Sequence, residues 1–250
     1  MNKLNFIIVG YGRIGKLVEK ALNEREEIIL NTIDPSLRKD WTDDSLKLVD
    51  TAICFTSPEA GYETTKKILL EGVDAVVGTT KFYLNPDGSL NEDMLKEFDE
   101  IAKANQARML YASNFSIGMN AYWKTLKPLA EMMANLGYDV AVEERHHKVK
   151  ADVAGTAKKI GGILLDSSPD KTRLNFRDIE RKREDREITI ASTRVGYVPG
   201  THTVIFDSPT DSIELIHRVR DPTVFAHGAI DSAYWLRAKE PGVYSIEDRL

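Results

Sequence analysis

The segment Gly10-Tyr11-Gly12-Arg13-Ile14-Gly15 lies between a short apolar run, residues 4–9, and a run with helical periodicity, residues 16–23. Its G-x-G-x-x-G spacing allows a tight turn and a close approach of the backbone to a pyrophosphate at a helix N-terminus. The spacing alone is weak evidence, but a preceding strand and a following helix are the context that the motif requires. We therefore predict a Rossmann-type fold. The residues expected to bind a dinucleotide are Gly10, Tyr11, Gly12, Arg13, Ile14 and Gly15.

A second apolar run, residues 28–33, ends at Asp34. Asp34 follows the glycines by about 20 residues, where an acidic residue accepts a hydrogen bond from the ribose 2′-hydroxyl of NAD. The alternative interpretation is an aspartate that caps a turn before Pro35. Arg38 and Lys39 follow closely and would tolerate a 2′-phosphate, so both NADH and NADPH remain possible cofactors.

Strands and helices continue to alternate as far as residue 111, which is typical of a parallel sheet covered by helices. The predicted elements are strands at 50–56, 73–77 and 107–111, and helices that begin after Ser57 and at Asn91. Gly78, Thr79 and Thr80 follow the fourth strand. Because such folds bind ligands at the carboxyl ends of their strands, we expect these three residues to contact the cofactor.

The pattern changes in the second half of the chain. The predicted elements are helices at 121–135, 156–165 and 223–238, strands at 138–144, 188–193, 201–207 and 212–219, and a strongly charged, solvated loop or edge at 177–187. The last three strands are separated by turn residues without crossover helices, so we predict an antiparallel meander. The fold class is therefore α/β, a Rossmann domain followed by an α+β domain with a mixed or antiparallel sheet.

Residues 142–156, V-E-E-R-H-H-K-V-K-A-D-V-A-G-T, contain the most reactive combination of side chains in the chain. His146 and His147 can exchange protons near neutral pH, and Lys150 can hold an anion. Gly155 and Thr156 open a predicted helix, whose free N–H groups bind carboxylates. We predict a site that protonates an acidic small molecule near the cofactor. The alternative is a solvated polar loop after a strand.

The composition and charge of the chain exclude several classes of binding partner. The 250 residues are 42% hydrophobic, carry a net charge of −5 and include one cysteine, Cys54. The charge argues against nucleic acid as the main partner, and a single cysteine excludes an internal disulfide. We find no apolar stretch of about 20 residues and no secretory signal, so we expect a soluble, cytoplasmic protein that does not bind membranes.

Several separate motifs, in the same order along the chain, resemble the dihydrodipicolinate reductase family. They are the glycine-rich loop at 9–15, Phe55-Thr56-Ser57-Pro58, Gly78-Thr79-Thr80, the segment 112–118, Glu144-x-His146-His147 with Lys150 and Gly155-Thr156-Ala157, Arg194-x-Gly196, Gly200-x-His202, His217-Arg218 and the segment 225–229. The resemblance covers nearly the whole chain.

The resemblance implies an NAD(P)H-dependent reductase of lysine and diaminopimelate biosynthesis, with a small dicarboxylate substrate. It implies a dinucleotide domain at 1–115, on which 222–250 packs back, and a substrate and oligomerisation domain at 116–221 that forms a homotetramer through its sheet. By position in the family, His146 and Lys150 are the catalytic residues: His146 donates the proton, and Lys150 holds the dicarboxylate substrate. Substrate binding is assigned to His147, Gly155 and Thr156. Further cofactor contacts are assigned to Phe55, Thr56, Ala112, Ser113, Asn114 and Phe115. No metal is implied.

Two departures from the family pattern lie near the expected site. The segment from Lys150 to Thr156 is one residue shorter than K-x-D-x-P-S-G-T and lacks its Pro-Ser, and Lys81 stands where the family usually has glycine. Two alternatives therefore stay open. One is a paralogous oxidoreductase that acts on another carboxylated imine or keto acid. The other is a non-catalytic nucleotide-sensing protein, against which the presence of both His146 and Lys150 argues.

Overall fold

A computed structural model describes residues 3–34, 40–42, 44–86, 88–176 and 181–250. Arg38 and Lys39, which suggested tolerance of a 2′-phosphate, lie outside the described residues. The chain divides into two compact units, Met1–Ile117 with Thr223–Leu250, and Gly118–Pro222.

The first unit contains a six-stranded parallel sheet with four helices. Its strands are β1 (Asn5–Val9), β2 (Ile28–Ile33), β3 (Thr51–Cys54), β4 (Asp74–Val77), β5 (Arg108–Tyr111) and β11 (Gly242–Ser245), and its helices are α1 (Arg13–Glu24), α2 (Pro58–Leu70), α3 (Glu92–Ala104) and α6 (Thr223–Arg237). The strand order is β11-β5-β4-β3-β1-β2, so the order reverses at β1, as in doubly wound folds. The predicted Rossmann fold is confirmed.

Both faces of the sheet are buried at its central strands, where successive side chains point to opposite faces and each face is covered by helices. In β1, Phe6 and Ile8 pack with residues of α1 and α6, whereas Ile7 and Val9 pack with residues of α2 and α3. The short predicted strands therefore read as continuous apolar runs. The sixth strand, β11, was not predicted because Gly242–Ser245 has no apolar run of its own.

The second unit contains a five-stranded mixed sheet with two helices. Its strands are β6 (Asp139–His146), β7 (Arg173–Asn175), β8 (Glu187–Arg194), β9 (Thr201–Asp207) and β10 (Ser212–Arg218), and its helices are α4, which begins at Ile117 and ends at Asn135, and α5 (Gly155–Ser167). The strand order is β10-β9-β6-β8-β7. Apolar residues of α4 and α5 share one core with Val142, Ile190 and Val204 of the sheet.

The predicted antiparallel meander is wrong in one respect. The pairing of β9 with β10 is antiparallel, as expected, but β8 pairs in parallel with β6 and with β7, and β6 separates β8 from β9. Sequence periodicity reports which face is buried, and it carries no information about which strand lies next to which.

Two smaller expectations also differ from the structure. The charged segment 177–187 does not end in a solvated residue, because Glu187 is buried at the start of β8. Helix α4 begins four residues before the predicted residue 121, since Ile117 and Met119 already pack in apolar cores. Within the described residues, no helix has both the length and the apolar character that crossing a membrane requires.

Candidate functional site

The glycine-rich loop is shaped by two close backbone approaches. Gly10 has a φ of +90°, and a Cβ atom there would lie 2.3 Å from the carbonyl oxygen of Phe55. A Cβ atom on Gly15 would lie 2.2 Å from the carbonyl oxygen of Gly10. Only glycine avoids both the strained φ and these clashes, so the loop can turn directly from β1 into α1.

The middle glycine of the motif leaves space free in front of the helix. Gly12 precedes α1 as its N-cap, and a Cβ atom there would meet no atom of the described residues within 4 Å. Asp34 lies beside this space, because its Oδ2 accepts a hydrogen bond of 2.6 Å from the backbone N–H of Tyr11. A helix N-terminus with open space and a neighbouring carboxylate fits the pyrophosphate and ribose of a dinucleotide.

The remaining predicted cofactor residues lie at the carboxyl ends of neighbouring parallel strands. Thr79 donates a hydrogen bond of 3.1 Å to the carbonyl of Thr56, and the rings of Phe55 and Phe115 meet edge-on at 5.8 Å between centroids. The structure places Gly78 and Thr80 after β4 and Ala112, Ser113 and Asn114 after β5. Arg13 is exposed and Ile14 is half-buried at the start of α1. All of these positions therefore belong to one edge of the sheet.

In the second unit, β6 carries the predicted proton donor. Glu144 and His146 are two residues apart, so they lie on the same face of the strand and are 1% and 8% exposed. The neighbouring Glu143 and Arg145 are exposed on the opposite face. The Nδ1 atom of His146 lies 2.9 Å from Oε2 of Glu144. This contact does not have the geometry of a hydrogen bond. The negative charge of the carboxylate at this distance still favours a proton on Nδ1, which leaves Nε2 as the nitrogen that exchanges a proton with a ligand.

Glu144 is surrounded by donors. Its Oε1 accepts hydrogen bonds from the Ser192 hydroxyl at 2.8 Å and from the Arg194 guanidinium at 2.7 Å, and its Oε2 accepts one from the Ala154 N–H at 3.2 Å. Burial alone would raise the pKa of Glu144. The hydrogen bonds from Arg194 and Ser192 offset that effect, so the pKa is lowered and the carboxylate stays ionised.

Arg194 connects Glu144 to the segment that carries Lys150. Its Nε donates to the carbonyl of Lys150 at 2.9 Å, and its Nη2 donates to the carbonyl of Asp152 at 2.7 Å. The ammonium of Lys150 is 2.9 Å from the carboxylate of Asp152, whose side chain is exposed. Sequence reasoning assigned no role to Arg194 or Ser192. Two signals pointed to Glu144: the β-strand alternation that puts it on the face of His146, and its place in the family motif Glu144-x-His146-His147.

The predicted substrate residues lie next to this cluster. His147 is half-buried, and its carbonyl accepts a backbone hydrogen bond of 3.1 Å from Lys150 in a tight turn. Gly155 and Thr156 form the first turn of α5, whose N-cap residue, Ala154, has no side chain that could cap it. The N–H groups of that turn are therefore suited to bind a carboxylate.

A third histidine adjoins the pair of Glu144 and His146. His202 lies directly across from Glu144 in β9, it is 4% exposed, and its ring is 5.3 Å from that of His146. Glu144, His146 and His202 bring ligand atoms within 4.8 Å of one another, close enough for a metal ion. The lone pairs of Glu144 already accept from other donors, one of them the cationic Arg194, so a metal ion would have to displace them. We therefore assign no metal to this cluster.

The histidines differ in how strongly burial affects them. Burial lowers the pKa of His146, and the neighbouring charges of Lys150 and Arg194 lower it further. Glu144 opposes this effect because its negative charge stabilises the protonated ring. Burial lowers the pKa of His202 to about 4, so that ring is neutral at physiological pH.

Comparisons with known proteins cover both units. The family model described as "Dihydrodipicolinate reductase, N-terminus" matches residues 4–115, and that described as "Dihydrodipicolinate reductase, C-terminus" matches residues 118–250. A 4-hydroxy-tetrahydrodipicolinate reductase from Christiangramia forsetii is 32% identical over 249 residues, which cover 99% of this chain and 98% of that protein. One from Methanoculleus marisnigri is 33% identical over 249 residues, 95% of this chain and 93% of that protein.

The fold is also similar to that of a solved structure. Dihydrodipicolinate reductase from Paenisporosarcina sp. TG-14, with dipicolinate bound, aligns over 100% of both chains with a TM-score of 0.76. Its sequence identity is 20%, so this comparison supports the architecture alone.

Proposed function

The chain belongs to the dihydrodipicolinate reductase family, and from that premise we propose that it reduces 4-hydroxy-tetrahydrodipicolinate to tetrahydrodipicolinate with NADH or NADPH. This is a step in the biosynthesis of lysine and diaminopimelate, and we expect the enzyme to act in the cytoplasm. The observation that carries the proposal is His146, a buried histidine with a carboxylate at Nδ1, next to the Lys150 turn and the N-terminus of α5.

The first unit would bind the cofactor. The space before Gly12 would receive the pyrophosphate, Asp34 would accept a hydrogen bond from the ribose, and the segments around Phe55, Gly78 and Ala112 would line the nicotinamide side. When bound, the reduced nicotinamide supplies a hydride ion to the substrate.

The second unit would bind and protonate the substrate. Lys150 and the first-turn N–H groups of Gly155 and Thr156 neutralise carboxylate charge and orient the ring, with His147 beside them. The 4-hydroxyl leaves as water, and the hydride adds to the ring carbon that is then conjugated with the imine. The electron-rich intermediate needs a proton, and Nε2 of His146 is the group that delivers it. His146 must then be protonated again from solvent before the next turnover.

One observation favours a second candidate, a paralogue that reduces another carboxylated imine or keto acid. The segment between Lys150 and Thr156 is one residue shorter than in the family pattern, and Ala154 stands directly before Gly155, where the pattern has serine. Ala154 is buried and contributes only its backbone N–H, to Glu144. A ligand carboxylate would therefore lose one hydroxyl donor at this position.

The test is an assay of NADH and NADPH oxidation with substrate generated freshly from pyruvate and aspartate semialdehyde. We expect rapid oxidation, and a loss of ~10²–10⁴-fold in His146→Gln, the range usual for a general acid. The variant should keep its affinity for NADH and its unfolding midpoint. Tight cofactor binding without oxidation would instead favour the second candidate, which related imines and keto acids would then identify.

A homotetramer is the assembly that we expect, formed through the second sheet. Helices α4 and α5 cover one face of that sheet, whereas Ala191 and Ile216, which point to the other face, are exposed in the single chain. The measurement is the mass in solution by light scattering, which should be about four times 28.1 kDa. A charged residue at position 216 should lower that mass, and a monomeric wild type would contradict the assembly.

A further inference from the structure

We infer that Glu144 and Arg194 are positioning residues, which hold the proton donor His146 and the carboxylate-binding segment 150–156 in one fixed arrangement. This inference rests on the proposed function, because it gives a purpose to residues around the proposed donor. Neither residue need touch the substrate. Each acts through the groups that it holds.

Glu144 fixes the orientation of the proton donor. Glu144 accepts hydrogen bonds from Ser192, Arg194 and Ala154, and its Oε2 lies 2.9 Å from Nδ1 of His146. A carboxylate that is fixed from three other directions cannot rotate away from the ring. His146 is therefore held with Nδ1 towards Glu144, and the tautomer with Nε2 directed elsewhere is selected.

Arg194 and Glu144 together hold the substrate segment. Arg194 grips the carbonyls of Lys150 and Asp152, and Glu144 accepts from the N–H of Ala154 at the start of α5. All three contacts on the segment are to its backbone, so they do not depend on the side chains that the family pattern has there. The shortened segment can lack Pro-Ser and still be fastened at both ends.

Glu144 also supplies negative charge beside His146. The titratable and charged groups that face His146 are Glu144 on β6, Arg194 on β8, His202 on β9 and Lys150 and His147 on the following turn. Glu144 is the only acid among them. Its removal would leave a buried imidazole among cations, and protonation of that ring would become much less favourable.

The closing experiment compares Glu144→Gln with wild type. Glutamine keeps the size of the side chain and removes its charge. We expect kcat to fall by ~10²-fold, in line with the loss of a group that orients a reacting histidine. For a general acid, activity falls as the pH rises through its pKa, so this fall should begin about one pH unit lower, or more, in the variant.

Glu187→Gln is the matched control. Glu187 is another buried glutamate of the same sheet, held by Arg173 and Arg181, and it has no contact with His146 among the described residues. Its replacement should reduce stability but leave kcat and the pH profile unchanged. If Glu144→Gln fails to fold, Glu144→Asp keeps the charge one methylene further away and should give an intermediate loss.

A readout without turnover separates this inference from the proposed function. The protein has five histidines, so the ring nitrogens of His146 can be assigned by NMR in the ligand-free enzyme. We expect a proton on Nδ1 in wild type, and in Glu144→Gln a lower pKa and a mixture of tautomers. An unchanged tautomer and pKa would overturn the inference even if wild type reduces the substrate. The expected NMR change in a protein that does not reduce it would support the positioning and refute the proposed function.

Discussion

Two glutamates of the five-stranded sheet are buried to the same degree but differ in what surrounds them. Glu144 in β6 is 1% exposed and Glu187 in β8 is 2% exposed. Each forms an ion pair with arginine, Glu144 with Arg194 at 2.7 Å, and Glu187 with Arg181 at 2.6 Å. By burial and by the presence of one close arginine, the two sites are alike.

Their other partners distinguish them. Glu187 is bound by a second arginine, Arg173, and by the backbone N–H of Glu184, and hydrogen bonding from Arg181 is the main reason why its pKa falls to about 2. Glu144 has one arginine, and its remaining partners include the ring of His146 and the start of α5. The first network stabilises an ion pair at one end of a strand. The second adds a titratable ring and a ligand-binding turn, and this addition makes it a candidate site.

The largest expected effect is that of Arg194→Met. Glu144 would remain buried without its cation, which typically costs ~3–5 kcal/mol of folding free energy, and the segment from Lys150 to Asp152 would lose both carbonyl contacts. We expect a clear drop in the urea midpoint and a loss of activity of ~10²-fold. Both are measured on the purified variant by urea titration and by the reductase assay.

Arg173→Met is the counterpart at the other glutamate. Arg181 would still pair with Glu187, and the Arg173 side chain is half-exposed, so the stability should change much less and the activity not at all. Equal losses of activity in the two variants would mean that Arg194 supports the sheet in general rather than the segment at the site.

The next largest effect is on the pH dependence of folding stability, which should differ between the surroundings of Glu144 and those of Glu187. Because the pKa of His202 is about 4 in the folded state and near 6.5 when unfolded, the unfolded chain binds more protons between these values. The stability from neutral His202 is complete above pH 6.5 and is lost as the pH falls towards 4, by up to about 3 kcal/mol. Stability from ionised Glu187 is lost only below pH 4.5, as the pH falls towards 2.

In His202→Gln, the free energy of unfolding should therefore depend less on pH between pH 6.5 and 4. In Glu187→Gln, its pH dependence should change only at lower pH. Trp123 is buried in this unit, so its fluorescence reports unfolding there when Trp41 and Trp235 are replaced by phenylalanine. A slope that persists in His202→Gln would assign the acid sensitivity to other groups.

The sequence predicted the first unit well because its signals are local. Glycine spacing, an apolar run of five or six residues and an acid after the second strand each lie within a short window, and the structure has each of them where expected. The exception is β11, which joins the sheet at β5 from the far end of the chain. Because β11 has no apolar run of its own, it is recognised only from its pairing with β5.

The second unit was predicted less well because its decisive contacts are distant in sequence. Arg194 reaches Glu144 across 50 residues, and the parallel pairing of β6 with β8 that makes this possible leaves no periodic signal. His146 and Lys150 were identified from their chemistry. The residues that hold them come close only because of the order of the strands in the sheet. The periodicity within a strand carries no information about that order.

The smallest expected effect tests the side of His146 that faces away from Glu144. A Cβ atom on Gly200 would lie 3.2 Å from Nε2, so Gly200→Ala should push the ring by a few tenths of an ångström. Because a reacting nitrogen tolerates little displacement, we expect kcat to fall by ~10-fold with little change in the urea midpoint. Gly162→Ala in α5, where an added Cβ meets no described atom within 4 Å, should leave kcat unchanged and stabilise the helix by ~0.5–1 kcal/mol. If both alanines left kcat unchanged, Nε2 would not be the nitrogen that reacts, and the role assigned to Glu144 at Nδ1 would lose its basis.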